Sequence, residues 1–305
     1  MRKKRKYDIY QVDSFTREKF SGNPAGVVPH AEGLTDAEMQ KIARELKNSE
    51  TAFIFTPVQT NSTYDTEVRF FTPFTEVPIC GHATIAAHFV RALEHNGNTG
   101  QHSLQKTKAG ILPIGISRTT DGIDVKMTQG DISFRAIEAS YKLKILNAIG
   151  LTADELRENC PIEIASTGHS KVMIGIRSRV RLNQLAPNLS ALKELSALIN
   201  CNGYFIFTFD SDDPGILTYG RMFAPAIGID EDPVTGNANG PLGAYIVKHK
   251  LVDVARDNFS FTARQGEALE RPGTMKVSVD IKNGEPIKVE ITGTAVVVFK
   301  TTIVL

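Results

Sequence analysis

The chain repeats itself at long range, and the repeat limits the folds open to it. Arg69-Phe70-Phe71-Thr72-Pro73 and Arg221-Met222-Phe223-Ala224-Pro225 share Arg-x-Phe-x-Pro. Shortly after each, Glu76-Val77-Pro78-Ile79-Cys80-Gly81-His82-Ala83 is echoed by Glu231-Asp232-Pro233-Val234-Thr235-Gly236-Asn237-Ala238, with Glu, Pro, Gly and Ala held at an offset of 155 residues. Two fainter echoes keep the same order. Glu50-Thr51-Ala52-Phe53-Ile54-Phe55 is matched by Asn202-Gly203-Tyr204-Phe205-Ile206-Phe207, and Asp121-Gly122 before Ile123-Asp124-Val125 by Asn283-Gly284 before Ile287-Lys288-Val289. Chance supplies any one echo; it is a poor account of four in one order. Solenoid repeats run to roughly 20–50 residues, so this longer period means two lobes built on one plan.

At 305 residues the chain has room for two such lobes. The first is expected over 1–130 and the second over 131–305, with the last strand, about 293–305, packing back on the first. Local signals fit. Leu34-Thr35-Asp36-Ala37-Glu38-Met39 is a helix start: Thr35 caps, Glu38 completes a capping box, and Leu34 staples to Met39. Leu151-Thr152-Ala153-Asp154-Glu155-Leu156 repeats that start. Strands are predicted over 51–56, 68–72, 171–176, 204–209, 276–281 and 295–299, and helices over 83–94 and 238–250. The strands cluster without regular βαβ spacing, which predicts an α+β fold with mixed or antiparallel sheets.

Composition excludes several function classes. Hydrophobic residues make up 41% and charged residues 23%, the balance of a globular protein. The net charge is +1, which gives no global attraction to nucleic acid or to an acidic membrane, so anion recognition must be local. The basic run Arg2-Lys3-Lys4-Arg5-Lys6 is followed by Tyr7-Asp8-Ile9-Tyr10-Gln11-Val12-Asp13, with aspartates where a signal peptide has its apolar region. It reads as a solvated tail before the first strand. No apolar run approaches a membrane span. Cys80, Cys160 and Cys201 are few and far apart, which fits a reducing compartment, so a cytoplasmic location is expected.

The two central motifs carry the chemistry. Each runs Pro, two residues, Gly, a polar residue, then a helix. The first N–H groups of a helix have no intrahelical partner and favour negative charge, so the pair could grip a carboxylate or an enolate; alone, each would read as an ordinary cap. His82 can carry a proton, donate a hydrogen bond, ligate a metal or cap. Cys80 and His82 have no further Cys or His cluster to complete a zinc site, so no metal is expected. Cys80 could be a thiolate, as in a racemase with two opposed thiols, but Thr235 stands at the matching position. A small buried hydrophobe is the better reading of Cys80. Glu50 enters an apolar strand, where desolvation suits a general acid/base working near neutrality; a solvated loop Glu is the plainer alternative. Its partner in the repeat, Asn202, does not titrate. Asp232, beside Glu231, is either an acid or orienting partner for His82, or one of two acids that stabilise a helix start.

Gln11-Val12-Asp13-Ser14-Phe15, Phe20-Ser21-Gly22-Asn23-Pro24-Ala25-Gly26-Val27-Val28, Asn48-Ser49-Glu50-Thr51-Ala52-Phe53, Arg69-Phe70-Phe71-Thr72-Pro73, Gly81-His82-Ala83-Thr84 and the Glu231–Ala238 motif follow one another in an order that resembles the PhzF-like family. This is the phenazine-biosynthesis isomerase group of the diaminopimelate epimerase fold superfamily. The resemblance spans nearly the whole chain and looks closest to uncharacterised enterobacterial members. It implies two pseudo-symmetric α+β lobes, each a sheet rolled around a central helix, with the active site in the cleft between them. It implies a homodimer acting on a small carboxylate substrate, with no metal, nucleotide or pyridoxal cofactor. By resemblance Glu50 moves a proton between carbons, with His82 and Asp232 in support. Gly81, Gly236, Asn237 and Asn23 are the substrate-binding candidates. Asn237 stands where the phenazine enzyme has serine, which keeps a polar contact but alters the pocket.

The chain is therefore expected to be a cofactor-independent isomerase that shifts a proton on a carboxylate-bearing carbon acid. The rivals are a racemase or epimerase in the same cleft, which needs two bases on opposite faces of one carbon, and a non-catalytic protein that binds a small anion or a partner.

Overall fold

The computed structural model describes residues 4–57, 62–95 and 102–305. It divides into two compact units, Met1–Thr128 with Thr292–Leu305, and Gln129–Ile291.

In the first unit β1 (Lys6–Ser14) pairs antiparallel with β2 (Asn23–Val28). Parallel neighbours need a crossover, and α1 (Asp36–Leu46) supplies it to β3 (Glu50–Phe55), where Ala25 faces Glu50. β4 (Thr66–Phe71) returns antiparallel to β3, and the short β5 (Glu76–Val77) folds back on β4. α2 (Gly81–Glu94) is the next crossover, to β6 (His102–Thr107), parallel to β4; β7 (Gly110–Thr119) and β8 (Gly122–Thr128) follow as antiparallel hairpins.

The second unit opens with β9 (Ile132–Ala136), α3 (Ala139–Ile149) and β10 (Glu163–Thr167). β11 (Lys171–Ile176), α4 (Arg179–Asn183), α5 (Leu189–Ile199), β12 (Tyr204–Thr208), β13 (Thr218–Ala224), β14 (Ile229–Asp232), α6 (Gly236–Lys248), β15 (Asn258–Gln265), β16 (Gly273–Lys282) and β17 (Glu285–Gly293) complete it. β18 (Ala295–Val304) belongs to the first unit and pairs antiparallel with β1 from end to end.

The repeat is visible in the pairing. β1 to β7 join in the series antiparallel, parallel, antiparallel, antiparallel, parallel, antiparallel. β10 to β16 follow the same series. Arg-x-Phe-x-Pro has the same task in both. Arg69 forks onto Glu76 with two bonds of 2.8 Å, and Arg221 onto Glu231 at 2.8 and 2.7 Å. Each guanidinium also lies over the phenylalanine two residues on, Phe71 or Phe223. These echoes are braces for a strand hairpin.

α2 and α6 are the central helices. α2 packs on β1, β2, β3, β4, β8 and β18, and α6 on β10, β11, β15 and β16. A helix apolar on every side belongs in a core, and α2 buries Ala83, Ile85, Ala86, Ala87, Val90 and Ala92. Gly243 in α6 has a packing reason: a Cβ there would come within 2.7 Å of Val277 Cγ1 on β16. On the outer faces, α1 sets Met39, Ile42 and Ala43 against Phe53 and Phe71, and α3 and α5 set Ile145, Ile149, Leu192 and Leu195 against Ile174 and Ile206.

Three expectations need correction. α2 and α6 begin two residues earlier than predicted, so both motif glycines are the first helical residues. Thr152 and Glu155 do form a capping box, like Thr35 and Glu38, but it caps a single 3-10 turn, Ala153–Glu155. Leu156 leaves that turn with extended dihedrals and bridges to Ile176, so strand contact wins over helix propagation. The basic run is only partly a tail. Arg2 and Lys3 lie outside the described residues, while Arg5 pairs with the backbone of Leu305 and its guanidinium with Glu38. No helix among the described residues is long and apolar enough to cross a membrane, which says nothing of membrane β-barrels.

Two stability effects are expected. Arg221 is almost wholly buried, and one of its nitrogens also donates to Leu182 and Leu185 carbonyls. Glu231→Gln leaves that charge uncompensated and should cost roughly 3 kcal/mol in chemical denaturation. Glu76→Gln should cost less, because Arg69 is more exposed and keeps Asp36. His88 is fully buried in α2, 2.7 Å from Gln105, and burial pushes it down from an ordinary 6.5 to about 4. The unfolded chain binds its proton near pH 6.5 and the folded chain resists it to about pH 4. Stability should therefore fall across that window, by about 3 kcal/mol at full effect, and His88→Leu should flatten that part of the pH profile.

Candidate active site

Glu50 reaches its place through a sequence of local constraints. α1 ends at Lys47 in the left-handed conformation, which turns the chain sharply. Asn48 is then held by a reciprocal amide pair with Gln11 of β1, at 3.0 and 2.8 Å. Ser49 and Glu50 follow at the mouth of β3, beside β2, whose first residue Asn23 is buried opposite Ser14 of β1. The Ser14 hydroxyl donates to the His82 carbonyl at 2.8 Å, which ties β1 to the first turn of α2.

His82 Nε2 lies 3.3 Å from Ser49 Oγ and 3.5 Å from Glu50 Oε2, and Nδ1 lies 3.4 Å from Cys80 Sγ. Glu50 and His82 are both largely buried, with side chains 14% and 8% exposed. Cys80 is the N-cap residue of α2 and gives the helix no side-chain cap. Gly81 is not required by crowding, since a Cβ would meet nothing within 4 Å, nor by a left-handed φ. What glycine adds there is room for a bound group to approach the first N–H groups.

In the second unit Thr235 caps α6 by position only. Its hydroxyl donates to Asp232 instead. Gln265 of β15 knits this turn together: its carbonyl accepts from Thr235 N at 3.1 Å and Asn239 Nδ2 at 3.0 Å, and its amide donates to the Asp232 carbonyl at 2.7 Å. The adjacent acids thus separate, Glu231 bracing Arg221 and Asp232 lying buried at the helix start. Asn237 stands at the second helical position, and its Oδ1 is buried without a hydrogen-bond partner among the described residues.

The structure brings Glu50 and His82 together in the first unit, with Gly81 in the same helical turn and Asn23 on the strand next to Glu50's. It brings Asp232, Gly236 and Asn237 together at the start of α6. Counting Cys and His alone missed a third donor: ligand atoms of Glu50, Cys80 and His82 lie within 4.8 Å of one another. One ion can take only one ring nitrogen, however, and here Cys80 meets Nδ1 while Glu50 meets Nε2. The three nevertheless form a compact cluster, since Cys80 Sγ and a Glu50 carboxylate oxygen also lie within 4.8 Å of each other.

Sequence reasoning also missed Lys171. Its stem lies across Gly203, where a Cβ would fall 2.3 Å from Lys171 Cδ, and Nζ donates to the Ser170 carbonyl at 3.2 Å. Burial pushes its amine down to about 8, against the pull of Cys201 and Asp232. Gly203 matches Thr51 in the repeat, so the one signal available was a small residue where the first lobe has a branched one.

The model of the family described as phenazine biosynthesis-like protein (PhzC-PhzF) matches residues 12–301. The chain belongs to that family. It is 57% identical over 302 residues to an uncharacterized isomerase of Clostridium acetobutylicum, with 99% of each chain covered. It is 45% identical to an uncharacterized isomerase of Escherichia coli, covering 96% of this chain and 97% of that one. A trans-2,3-dihydro-3-hydroxyanthranilate isomerase of Pseudomonas chlororaphis is 29% identical over 297 residues, 96% of this chain and 98% of its own. The crystal structure of a PhzF-family protein from Bacillus anthracis superposes with a TM-score of 0.88 at 29% identity, covering 99% and 100% of the two chains. A hydroxyproline epimerase from Agrobacterium vitis, at 14% identity and a TM-score of 0.61 over 100% and 93%, shares the fold alone. The protein is thus an isomerase of the PhzF-like family with the α+β diaminopimelate epimerase-like fold.

Lys171 gives a direct check on the electrostatics of the second unit. Observed by NMR on the side-chain ε-carbons, one lysine should titrate near pH 8, apart from the rest, and the signal should vanish in Lys171→Met.

Proposed function

We propose that this isomerase shifts a proton on a small carboxylate-bearing carbon acid, using only side chains and backbone donors of its own, with Glu50 as the principal acid/base. The observation that carries the reading is the buried meeting of Glu50 and His82 at 3.5 Å, in the turn where α2 presents its uncapped N–H groups. A carbon acid needs a base beside the proton and a donor beside the charge that develops on the carboxylate side. Glu50 supplies the first. Gly81 supplies a backbone N–H donor of the second kind, and by resemblance the Gly236 N–H and the Asn237 Nδ2–H serve the same substrate. His82 steadies or relays the proton, Asp232 supports it, and Asn23 contributes to substrate binding.

The Pseudomonas relative's name supports this class of reaction, a proton moved between carbons of a ring that bears a carboxylate. Asn237, in the place of that enzyme's serine by resemblance, supports a different substrate within the class. The same resemblance supports a homodimer, and three cysteines set far apart support a cytoplasmic location.

Glu50→Gln should slow exchange of the substrate's carbon-bound proton with solvent deuterium by on the order of 10² to 10⁴, while carboxylate binding persists in calorimetry. Screening a panel of small unsaturated carboxylates by NMR in deuterated water gives the readout. Relocation of a double bond supports the proposal. Inversion at a single centre, or near-normal turnover in the variant, overturns it.

A further inference from the structure

His82 is approached at both ring nitrogens by groups of different kinds, and together they decide where its proton sits. A neutral imidazole has one N–H and one bare nitrogen, and the hydrogen bond made at one nitrogen sets the other. On the Nε2 side, the Glu50 carboxylate at 3.5 Å can only accept. Ser49 Oγ, at 3.3 Å, donates or accepts and so fits either form. Satisfying the carboxylate puts the hydrogen on Nε2, which leaves Nδ1 as a lone pair inside a buried turn. The neighbour of that lone pair is the Cys80 thiol at 3.4 Å, normal for a sulfur hydrogen bond, and S–H can donate.

We propose that Cys80 is a positioning residue whose S–H donates to His82 Nδ1 and holds the ring as the Nε2–H tautomer. Thiol, imidazole and carboxylate are packed in one cluster, with Sγ within 4.8 Å of a Glu50 carboxylate oxygen, and in it the S–H turns to Nδ1 while the Nε2–H is left to the carboxylate. This accounts for a thiol at the N-cap position that makes no cap. The second unit answers with Thr235, whose hydroxyl likewise turns from its helix to a side chain, Asp232. Nothing is consumed: Glu50 takes a proton from one carbon and returns it to another, while the Nε2–H stays on the ring and steadies the carboxylate. That catalytic consequence rests on the function proposed above; the tautomer itself does not.

The test uses the full-length protein labelled with ¹⁵N-histidine. In the wild type, His82 should show a pyridine-like Nδ1 and a protonated Nε2. Glu50→Gln removes the carboxylate's bias, because an amide both donates and accepts, and the same tautomer should persist through Cys80. Adding Cys80→Ala to that variant should release the ring to a mixture, while adding Cys80→Ser, which keeps a donor, should restore the Nε2–H form. A wild-type His82 protonated at Nδ1 overturns the assignment, as does an unchanged tautomer in the Glu50→Gln/Cys80→Ala protein. These spectra need no substrate, so their failure is separable from failure of the proposed reaction. Once a substrate is in hand, Cys80→Ala alone should lower kcat by up to about tenfold, the range of one hydrogen bond, at unchanged KM, with Cys80→Ser near the wild type.

Discussion

The candidate site hangs on a forked ion pair made twice. Arg69 with Glu76, and Arg221 with Glu231, clamp a very short strand to the long one before it, and a central helix starts a few residues later. β5 is two residues long and β14 four, too short to hold position by ladder bonds alone. A bidentate guanidinium–carboxylate contact fixes both distance and plane, and the stacked phenylalanine restricts the arginine further. The placing of Gly81 and His82, and of Gly236 and Asn237, follows from that clamp. Arg221 is the more deeply committed of the two, since leaving its charge buried and half-paired is costlier than exposing it.

Much of this was legible in the residues. The repeat, read from spacing alone, maps onto two identical pairing series, and β11 coincides with its predicted span. The apolar strand run at 171–176 and the Thr35 capping box are local signals, and local signals survive folding when nothing competes. Where something competed, the reading failed: the Thr152 start lost its helix because Leu156 had a strand to meet. Of the site, Glu50 and His82 were each singled out for proton chemistry, while Ser49, whose Oγ lies 3.3 Å from His82 Nε2, was not. Gln265 and Lys171 were not legible. Gln265 acts on Asp232 and Thr235, and Lys171 lies across Gly203, contacts between distant positions for which one sequence holds no pattern. Cys80 was read as a small buried hydrophobe; it is buried, but its sulfur faces an imidazole nitrogen.

What the two units share and where they differ divide along physical lines. The shared residues (Arg, Glu, Phe, Pro and the helix-opening Gly) set backbone geometry, which both units need in the same form. Among the matched positions that differ are Glu50 and Asn202, Cys80 and Thr235, and His82 and Asn237. In each of these pairs the first unit has an ionisable side chain, and the second a neutral hydrogen-bonding group, while Val77 and Asp232 differ in the opposite sense. Hydroxyl and amide groups hold an oxygen without changing their own protonation. The second unit's ionisable members are instead occupied: Glu231 by Arg221, and Asp232 by the Thr235 hydroxyl. One plan built twice thus carries different polar side chains at the matched starts of its two central helices.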